Sequence, residues 1–527
     1  MSASKEKKTR QEPRGLNWSD PKTAREAKQQ KEQKRSDRMY AAIAIAFAVI
    51  AIVALTWKSG IIQKNATAVT INGENYSASE VQYYYMSEYQ SFVSQYYNYI
   101  SYMGLDLSKS LKSQECSMVK DGGTWYDYFL QQAMTKMSSV HALCDAAEKD
   151  KFQWSDAMQS DYEDNLDSLN SAVDSYNTNH STSYSTKQYI RMVYGTLMTE
   201  KIYRAELKLG ILAQAYSDQY SKSLTYTTDQ LAKAYQDDPN AFDVVDYKSV
   251  RINGAPAAKT DSDGNTVAAT DEEKTAAMDS AKTLANSIYA GYQGGKSLSD
   301  LADANSDTAT YSDGVGGTYS DSVLMNWLFD TSRKAGDSAM LEDTDNSAYY
   351  VVVYGSRYRY EYNTVDVRHI LIKVDTSDLD SSSSTYQTDL QSRKDTAKKK
   401  AEDLLAQWKA GNATEDSFAE LANKNSEDTG SNTNGGLYQQ VYKGEMVEEF
   451  NNWCFDSARQ PGDTGIVYGE SDSYSGYHVI YFVGTDLPYW QVQVTNSLKS
   501  NDYNTWYTAL TKDYTATTHS FGAGFVG

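Results

Sequence analysis

The sequence predicts a multidomain α+β protein with an apolar N-terminal helix, a long helical region and two related modules of short strands and helices. Three observations indicate this architecture. The chain has 527 residues, enough for several domains that each bury a core. A run of 19 uncharged residues, 39–57, stands near its start. One pattern of strand and helix signals occurs twice in its second half, as expected of an internal repeat.

The N-terminal segment reads as a tail and a membrane anchor. Residues 1–38 are charged and without apolar periodicity, which predicts a disordered tail or a frayed helix. The anchor is 39–58, because about 19 helical residues span roughly 30 Å of hydrocarbon. Arg35 and Arg38 precede it, so we expect the tail in the cytoplasm and the bulk outside. A cleaved signal peptide is the alternative, although the charged leader is long and no clean cleavage site follows.

Residues 66–240 carry the helical region. A turn at Asn72-Gly73 joins two short strands, and Ser77 with Glu80 forms a capping-box signal before the first helix. Apolar periodicity predicts the helices that follow; they cover 80–103, 125–149, 155–175, 186–209 and 227–235. Seven tyrosines lie between 83 and 99. We expect them to pack between helices, with a client-binding aromatic surface as the alternative.

The repeat covers 241–358 and 359–485. VDYKSVRI at 245–252 matches VDVRHILI at 365–372, and NWLFDTSRKAGDS at 326–338 matches NWCFDSARQPGDT at 452–464. The strand 473–483 of the second copy also has a counterpart near 348–354. Four positions differ in chemistry: Ser249 for His369, Tyr350 for His478, Ser320 for Met446 and Leu324 for Phe450. All four fall where the second copy carries its candidate site.

The second copy resembles the parvulin family of peptidyl-prolyl isomerases. The matching motifs are RHILIK at 368–373, NGG at 434–436, GEMVEEF at 444–450, PGD at 461–463 and SGYHVI at 475–480. The resemblance implies a parvulin domain at 359–485, with an antiparallel sheet and helices. It also implies a degenerate, catalytically silent copy at 241–358. One departure is Leu437-Tyr438-Gln439, where the family has Asp-Leu-Gly.

The resemblance also implies a site. His369 and His478 would lie on adjacent strands with their rings hydrogen-bonded at the pocket floor. Met446 and Phe450, one helical turn apart, would form an apolar slot for proline. Further roles follow from the family positions: Asp428 beside the rotating carbonyl, and the hydroxyls of Ser473 and Ser475 as supports of the histidine pair. We expect Leu437 and Phe455 to be further walls of the slot. No metal ligand set and no phosphate loop is found, so we expect no metal and no cofactor.

The charge distribution bears on partners. Net charge is −20, and the first 38 residues carry 12 Lys/Arg against 6 Asp/Glu, which leaves −26 for the remainder. Nucleic-acid binding needs a basic footprint, so we exclude nucleic acid. Three cysteines, Cys116, Cys144 and Cys454, are too few and too scattered for a disulfide framework. A Cys116–Cys144 pair is left open.

The segment AVTINGENYSASEV at 68–81 is similar to the start of the chaperone domain in PrsA and SurA foldases. The resemblance implies an all-α chaperone domain at 66–240, completed by part of 489–515 within a C-terminal segment 486–527. We therefore expect a single-pass membrane foldase at a Gram-positive-like cell surface that isomerises X-Pro bonds and binds unfolded or newly secreted polypeptides. A homodimer is left open. The alternatives are a holdase without catalysis and a surface scaffold with inactive modules.

Overall fold

The computed structural model describes residues 21–261, 264, 266–471 and 474–527. The first twenty residues of the expected tail therefore lie outside the described residues. The chain divides into two compact units: the first contains the residues up to Ser223 together with Tyr503–Gly527, and the second is Leu224–Asp502. Residues 503–527 thus belong to the same unit as the helical region.

The first unit is mainly helical. Its elements before residue 224 are α1 (Pro21–Lys58), α2 (Ile61–Asn65), β1 (Thr67–Ile71), β2 (Glu74–Ser77), α3 (Ala78–Tyr96), α4 (Trp125–Lys149), α5 (Asp156–His180), α6 (Thr186–Tyr194) and α7 (Glu200–Ser223), with a 3₁₀ turn at Leu111–Ser113. The Asn72-Gly73 turn joins β1 to β2 with both residues at positive φ. Ser77 and Glu80 form the expected capping box of α3.

The helix α1 is one continuous element from Pro21. Its window Ala41–Lys58 has a mean hydropathy of 2.2, and none of that window is buried. By length and composition, this helix can cross a membrane. The expected tail is thus helical from residue 21 onward.

Two helix predictions are wrong in their bounds. The helix expected over 80–103 ends at Tyr96, where the chain enters a series of turns. The helix expected over 186–209 is two helices, because the chain adopts a positive φ of 86° at Gly195. The side-chain amide of Gln82 donates to the carbonyl of Tyr194 at 2.9 Å, which satisfies the end of α6. A tertiary contact thus stabilises the break.

The core of the first unit is aromatic. Trp125, Phe129 and Tyr85 are fully buried between α3 and α4. The tyrosine cluster divides: Tyr84 and Tyr85 pack in the core, whereas the later tyrosines near residues 97–102 are exposed. The three cysteines are buried and free, so the pairing left open above is not formed.

The second unit contains two four-stranded antiparallel sheets with helices. Its elements are α8 (Thr228–Asp237), β3 (Val244–Asn253), β4 (Lys259–Thr260), β5 (Thr266–Val267), α9 (Asp271–Gln293), α10 (Leu298–Asp303), β6 (Ala309–Thr318), α11 (Val323–Leu328), β7 (Ser338–Asp343), β8 (Ala348–Tyr358), β9 (Asn363–Lys373), α12 (Tyr386–Ala410), α13 (Glu415–Asn425), β10 (Leu437–Val441), α14 (Glu448–Cys454), β11 (Thr464–Glu470), β12 (Ser475–Pro488) and the part of α15 (Tyr489–Thr511) up to Asp502, with a 3₁₀ turn at Pro239–Ala241.

The two sheets share one topology. The strand order is β6-β3-β8-β7 in the first and β10-β9-β12-β11 in the second. The register is also the same: Ser249 lies opposite Val352 in one, and His369 lies opposite Ile480 in the other. The matched segments of the repeat therefore occupy equivalent places.

The chain ends in the first unit. The last two elements are β13 (Ala516–Thr518), which pairs with β1, and α16 (Ser520–Ala523). The hydroxyls of Tyr503 and Ser217 lie 2.7 Å apart, and the rings of Trp506 and Tyr220 stack with centroids at 3.9 Å. The final part of α15 thus packs on α7.

Candidate functional site

Two histidines from neighbouring strands meet on one face of the second sheet. In the antiparallel pairing of β9 with β12, His478 lies opposite Leu371 and His369 opposite Ile480. The two imidazoles are therefore diagonal neighbours on the same face. Their Nδ1 atoms are 3.2 Å apart, and both side chains are buried.

A carboxylate lies beyond the first ring. The Asp428 Oδ2 atom accepts a hydrogen bond from His369 Nε2 at 2.9 Å, another from the Tyr438 hydroxyl at 3.0 Å, and a third from the Ser431 hydroxyl. The bond from His369 lowers the pKa of the Asp428 carboxyl well below its usual range, against the opposing effect of partial burial. Asp428 is therefore ionised at neutral pH.

The second ring is neutral. Burial, with the neighbouring His369 ring, lowers the pKa of His478 to about 3. Two ring nitrogens 3.2 Å apart cannot both carry a proton, so one proton lies between His369 and His478. The Tyr474 hydroxyl is 3.3 Å from His478 Nε2 at the far end. Tyr474, His478, His369 and Asp428 thus form one hydrogen-bonded row.

The row forms the floor of a small pocket of about 220 Å³. Its apolar wall comes from Leu371, Met446, Val447 and Phe450. The Phe450 ring stands edge-on to both imidazoles, with centroids 5.5 and 5.3 Å away. The pocket is smaller than the roughly 300–1,000 Å³ of a typical small-molecule site. It fits a single side chain of a longer ligand.

Five of the expected site residues are brought together here: His369, Asp428, Met446, Phe450 and His478. Ser475 is not among them. It begins β12 opposite Glu470 and lines the neighbouring cavity. The expected hydroxyl support comes instead from Ser431 and Tyr474, because loops reach the rings from outside the sheet. Ser473 lies outside the described residues.

The two expected further walls also lie elsewhere. Leu437 pairs with Arg368 along β10, and the next residue, Tyr438, lines the pocket. Phe455 follows α14 and meets the ring of Tyr362 at 6.0 Å. Tyr438 occupies the segment where the sequence departs from the family pattern. The Leu437-Tyr438-Gln439 departure was the sequence signal that could have identified Tyr438 as a pocket residue.

Two glycines shape the site. Gly436 has a φ of 68°, and a Cβ there would lie 2.2 Å from the His369 carbonyl oxygen. Gly469 on β11 faces His478, where a Cβ would lie 3.0 Å from Nε2 and 2.6 Å from a methyl of Val447. The NGG motif indicated the first glycine. Sequence reasoning missed the second, since nothing local separates it from other strand glycines.

The first sheet lacks this arrangement. Ser249 and Tyr350 occupy the positions of the two histidines. The buried Ser249 hydroxyl cannot replace an imidazole that bonds at two opposite ends. The equivalent face is instead filled by Tyr247, Leu324 and Met325, which pack against the buried cluster that contains Val352.

Comparison with known proteins identifies the second module. Residues 353–484 match the PPIC-type PPIASE domain family. No curated protein sequence matches the chain. The solved PrsA peptidylprolyl isomerase of Bacillus anthracis is 21% identical with a TM-score of 0.18, and that of Bacillus cereus is 23% identical with a TM-score of 0.17. Each match covers 29% of this chain, and the chain spans 58% and 50% of those two proteins.

A third solved structure, foldase protein PrsA from Streptococcus pneumoniae, matches over 75% of this chain and 91% of its own. Its identity is 11% and its TM-score 0.19. Likeness at this level carries no argument about activity. The domain match is specific: residues 353–484 form a peptidyl-prolyl isomerase domain of the parvulin, PPIC type.

Proposed function

We propose that this chain, with its peptidyl-prolyl isomerase domain at 353–484, is a membrane-anchored extracytoplasmic foldase that turns X-Pro bonds in unfolded secreted polypeptides. The observation that carries the proposal is the pocket itself. It combines an apolar slot with a floor of two buried histidines and an ionised carboxylate.

The proposed reaction requires tight binding of the twisted X-Pro amide and involves no proton transfer. Rotation about the X-Pro bond breaks amide resonance across a barrier of about 18–20 kcal/mol. A catalyst lowers it by binding the twisted amide better than the planar one. Met446, Val447 and Phe450 are placed to hold the proline ring on an apolar surface. Contact with this wall removes water that would otherwise stabilise the planar amide.

Asp428 supplies the electrostatic part of the proposal. Resonance in the planar amide places negative charge on the carbonyl oxygen, and rotation returns that charge to nitrogen. A carboxylate facing this oxygen therefore disfavours the planar state more than the twisted one. His369 and His478 act as positioning residues, because their hydrogen-bonded row orients Asp428 and keeps it ionised.

A neighbouring cavity supports a polypeptide substrate. It measures about 770 Å³ and shares Lys373 and Tyr474 with the proline pocket. Its lining is mostly polar, with Glu427 and Glu470 among its residues. An extended chain with its proline in the small pocket would continue into this cavity. Recognition there would depend largely on the peptide backbone, which suits diverse clients.

The proposal also assigns roles to the apolar helix, the helical region and the first module. The apolar helix at 39–58 would anchor the chain, with the basic tail in the cytoplasm and the rest outside at a Gram-positive-like surface. The helical region 66–240 with part of 489–515 would hold unfolded clients. The module at 241–358 has no histidine and no counterpart of Met446. It would serve as a binding or spacing module and not as a catalyst.

An isomerase assay on the full chain in detergent tests the proposal. We expect cis-to-trans conversion of a proline peptide, strongly reduced in His369→Ala and Met446→Ala but kept in Ser249→Ala of the first copy. Absence of activity in the unaltered chain, with aggregation of unrelated unfolded proteins still suppressed, would favour a holdase. Stoichiometric capture of one partner, without either activity, would favour a surface scaffold.

A further inference from the structure

An exposed apolar patch surrounds the end of the proposed anchor. We define the basal patch as Trp57, Ile61, Ile62, Phe521 and Phe525. Phe521 is 60% exposed and Ile61 55% exposed, although both belong to ordered helices. The Phe521 ring meets Phe525 edge-on at 5.0 Å, and Phe525 meets Trp57 at 6.1 Å. Residues distant in the chain thus form one surface beside the last turn of α1.

The basal patch is joined firmly to the anchor. Gly60, at a φ of 72°, turns the chain from α1 into α2, and its N–H donates to the Trp57 carbonyl at 3.1 Å. The Gln63 side chain donates to the same carbonyl at 3.0 Å. The Ser79 hydroxyl donates to the carbonyl of Lys64 at 3.0 Å, which ties α2 to the start of α3. Ile61 and Ile62 therefore cannot separate from the anchor's end without breaking these bonds, and Phe525 is held there by its ring contact with Trp57.

Cations collect around the same end of the unit. Lys58 closes α1, and Lys64 lies in α2. Burial, together with the charges of Arg191 and Lys187, lowers the pKa of Lys64, so these three cations lie near one another. This grouping stands out in a body with a net charge of −26. Apolar side chains flanked by cations are the composition of surfaces that bind anionic lipid.

We propose that the basal patch enters the headgroup region of an anionic bilayer, so that the first unit rests on the membrane in one orientation. The proposal depends on the membrane anchor proposed above. Interfacial apolar faces are buried about 5–10 Å into the headgroup boundary, a depth that aromatic side chains such as Phe521 and Trp57 can occupy. The end of the apolar helix fixes the bilayer surface at this level, which is why lipid, rather than a second protein, is the occupant inferred.

The test measures depth with a nitroxide label in the full chain. The three native cysteines are buried, so an introduced thiol is the accessible one. Phe521→Cys reports the patch, and Ala48→Cys reports the anchor. Tyr102→Cys is the aqueous control, because Tyr102 is 88% exposed beyond the other end of α3. That helix has 19 residues and is about 28 Å long.

The chain is placed in vesicles of equal phosphatidylglycerol and phosphatidylcholine. We expect the ratio of oxygen to nickel-chelate collisions at 521 to exceed that at 102 severalfold and to approach that at 48. Equal ratios at 521 and 102, with a deep label at 48, would overturn the patch contact while the anchor stands. An aqueous label at 48 would overturn the anchor as well.

Two further outcomes address charge and a protein partner. Lys187→Gln with Arg191→Gln should reduce the ratio at 521 in these vesicles and leave it unchanged in pure phosphatidylcholine. An equal ratio before and after the change in both lipids would contradict the role of anionic headgroups.

Spin–spin broadening between labels at 521, with both collision reagents excluded, would show that a second copy covers the patch and would overturn the proposal.

Discussion

Met446→Ala is the most direct perturbation of the proposed catalytic slot. Met446 lines the same pocket as the two histidines and is only half-buried in the free protein. The change removes about three side-chain atoms of methylene size. At about 0.8 kcal/mol for each buried group, the loss of contact with a proline ring is about 2 kcal/mol.

A loss of about 2 kcal/mol in transition-state contact lowers kcat/KM by roughly 30-fold. The assay follows cis-to-trans conversion of a proline peptide by the full chain in detergent. The matched control is Met192→Ala, which removes the same atoms from an exposed position in the first unit. We expect that control to retain full activity.

The measurement separates binding from folding. Because Met446 is not part of a closed core, its loss should change the free energy of unfolding of the second unit by less than about 1 kcal/mol. A decrease in kcat/KM below about threefold, with the fold intact, would refute the assignment of this slot. A large decrease in kcat/KM together with a loss of stability would show that Met446 acts through core packing, as the buried Phe450 does. That result would also count against the assignment of the slot.

The remaining predictions concern charge. Asp428→Asn keeps an acceptor for His369 but removes the negative charge, so kcat/KM should fall about tenfold or more with unchanged circular dichroism; full activity would exclude the electrostatic role. His478 stays neutral above its pKa of about 3, so activity should be flat from about pH 6.5 to 9. The free energy of unfolding of the second unit should decrease below about pH 6.5, because the His478 ring is protonated there in the unfolded chain but stays neutral in the folded one. A free energy of unfolding, measured with denaturant, that is constant from pH 7.5 to 4.5 would contradict this. In the first unit, burial raises the pKa of Glu206 to about 7. As pH rises from about 4.5 to 7, the carboxyl ionises in the unfolded chain before it does so in the folded one, and the first unit loses stability. Glu206→Gln should therefore stabilise this unit at pH 8 by up to about 3 kcal/mol and have little effect at pH 4. Equal hydrogen-exchange rates in α7 of the variant and the unaltered chain at pH 8 would refute this.

The sequence was most informative where local patterns decide structure. The bounds of α4 follow from apolar periodicity, and Ser77 with Glu80 located the start of α3. The break at Gly195 was not predictable in the same way. A single glycine is tolerated inside a helix, and here a side chain from α3 stabilises the interruption.

The same distinction applies to the site. The two histidines were found because strand register places them on one face. The helical spacing expected between Met446 and Phe450 is wrong, because α14 begins only at Glu448, yet both residues line the pocket. Ser431 and Tyr474 were missed, since both are carried by loops. A loop position is set by tertiary bonds, such as Glu427 N–H to the Leu371 carbonyl at 2.9 Å, which no sequence pattern encodes.

The two modules show why this fold persists without its site. Their sheets share strand order because the helix-facing side chains, such as Val250 in one and Ile370 in the other, remain apolar and buried. The opposite face and its loops are free to change. In the repeat, SLSDLADANSD at 297–307 matches SFAELANKNSE at 417–427, so the next residue, Thr308, stands where Asp428 stands. Restoring the histidines with Ser249→His and Tyr350→His would therefore give a ring pair without its carboxylate. In a Met446→Ala background, we expect these two changes to add no isomerase activity above the residual level of that variant; an increase would show that the carboxylate is dispensable to the mechanism.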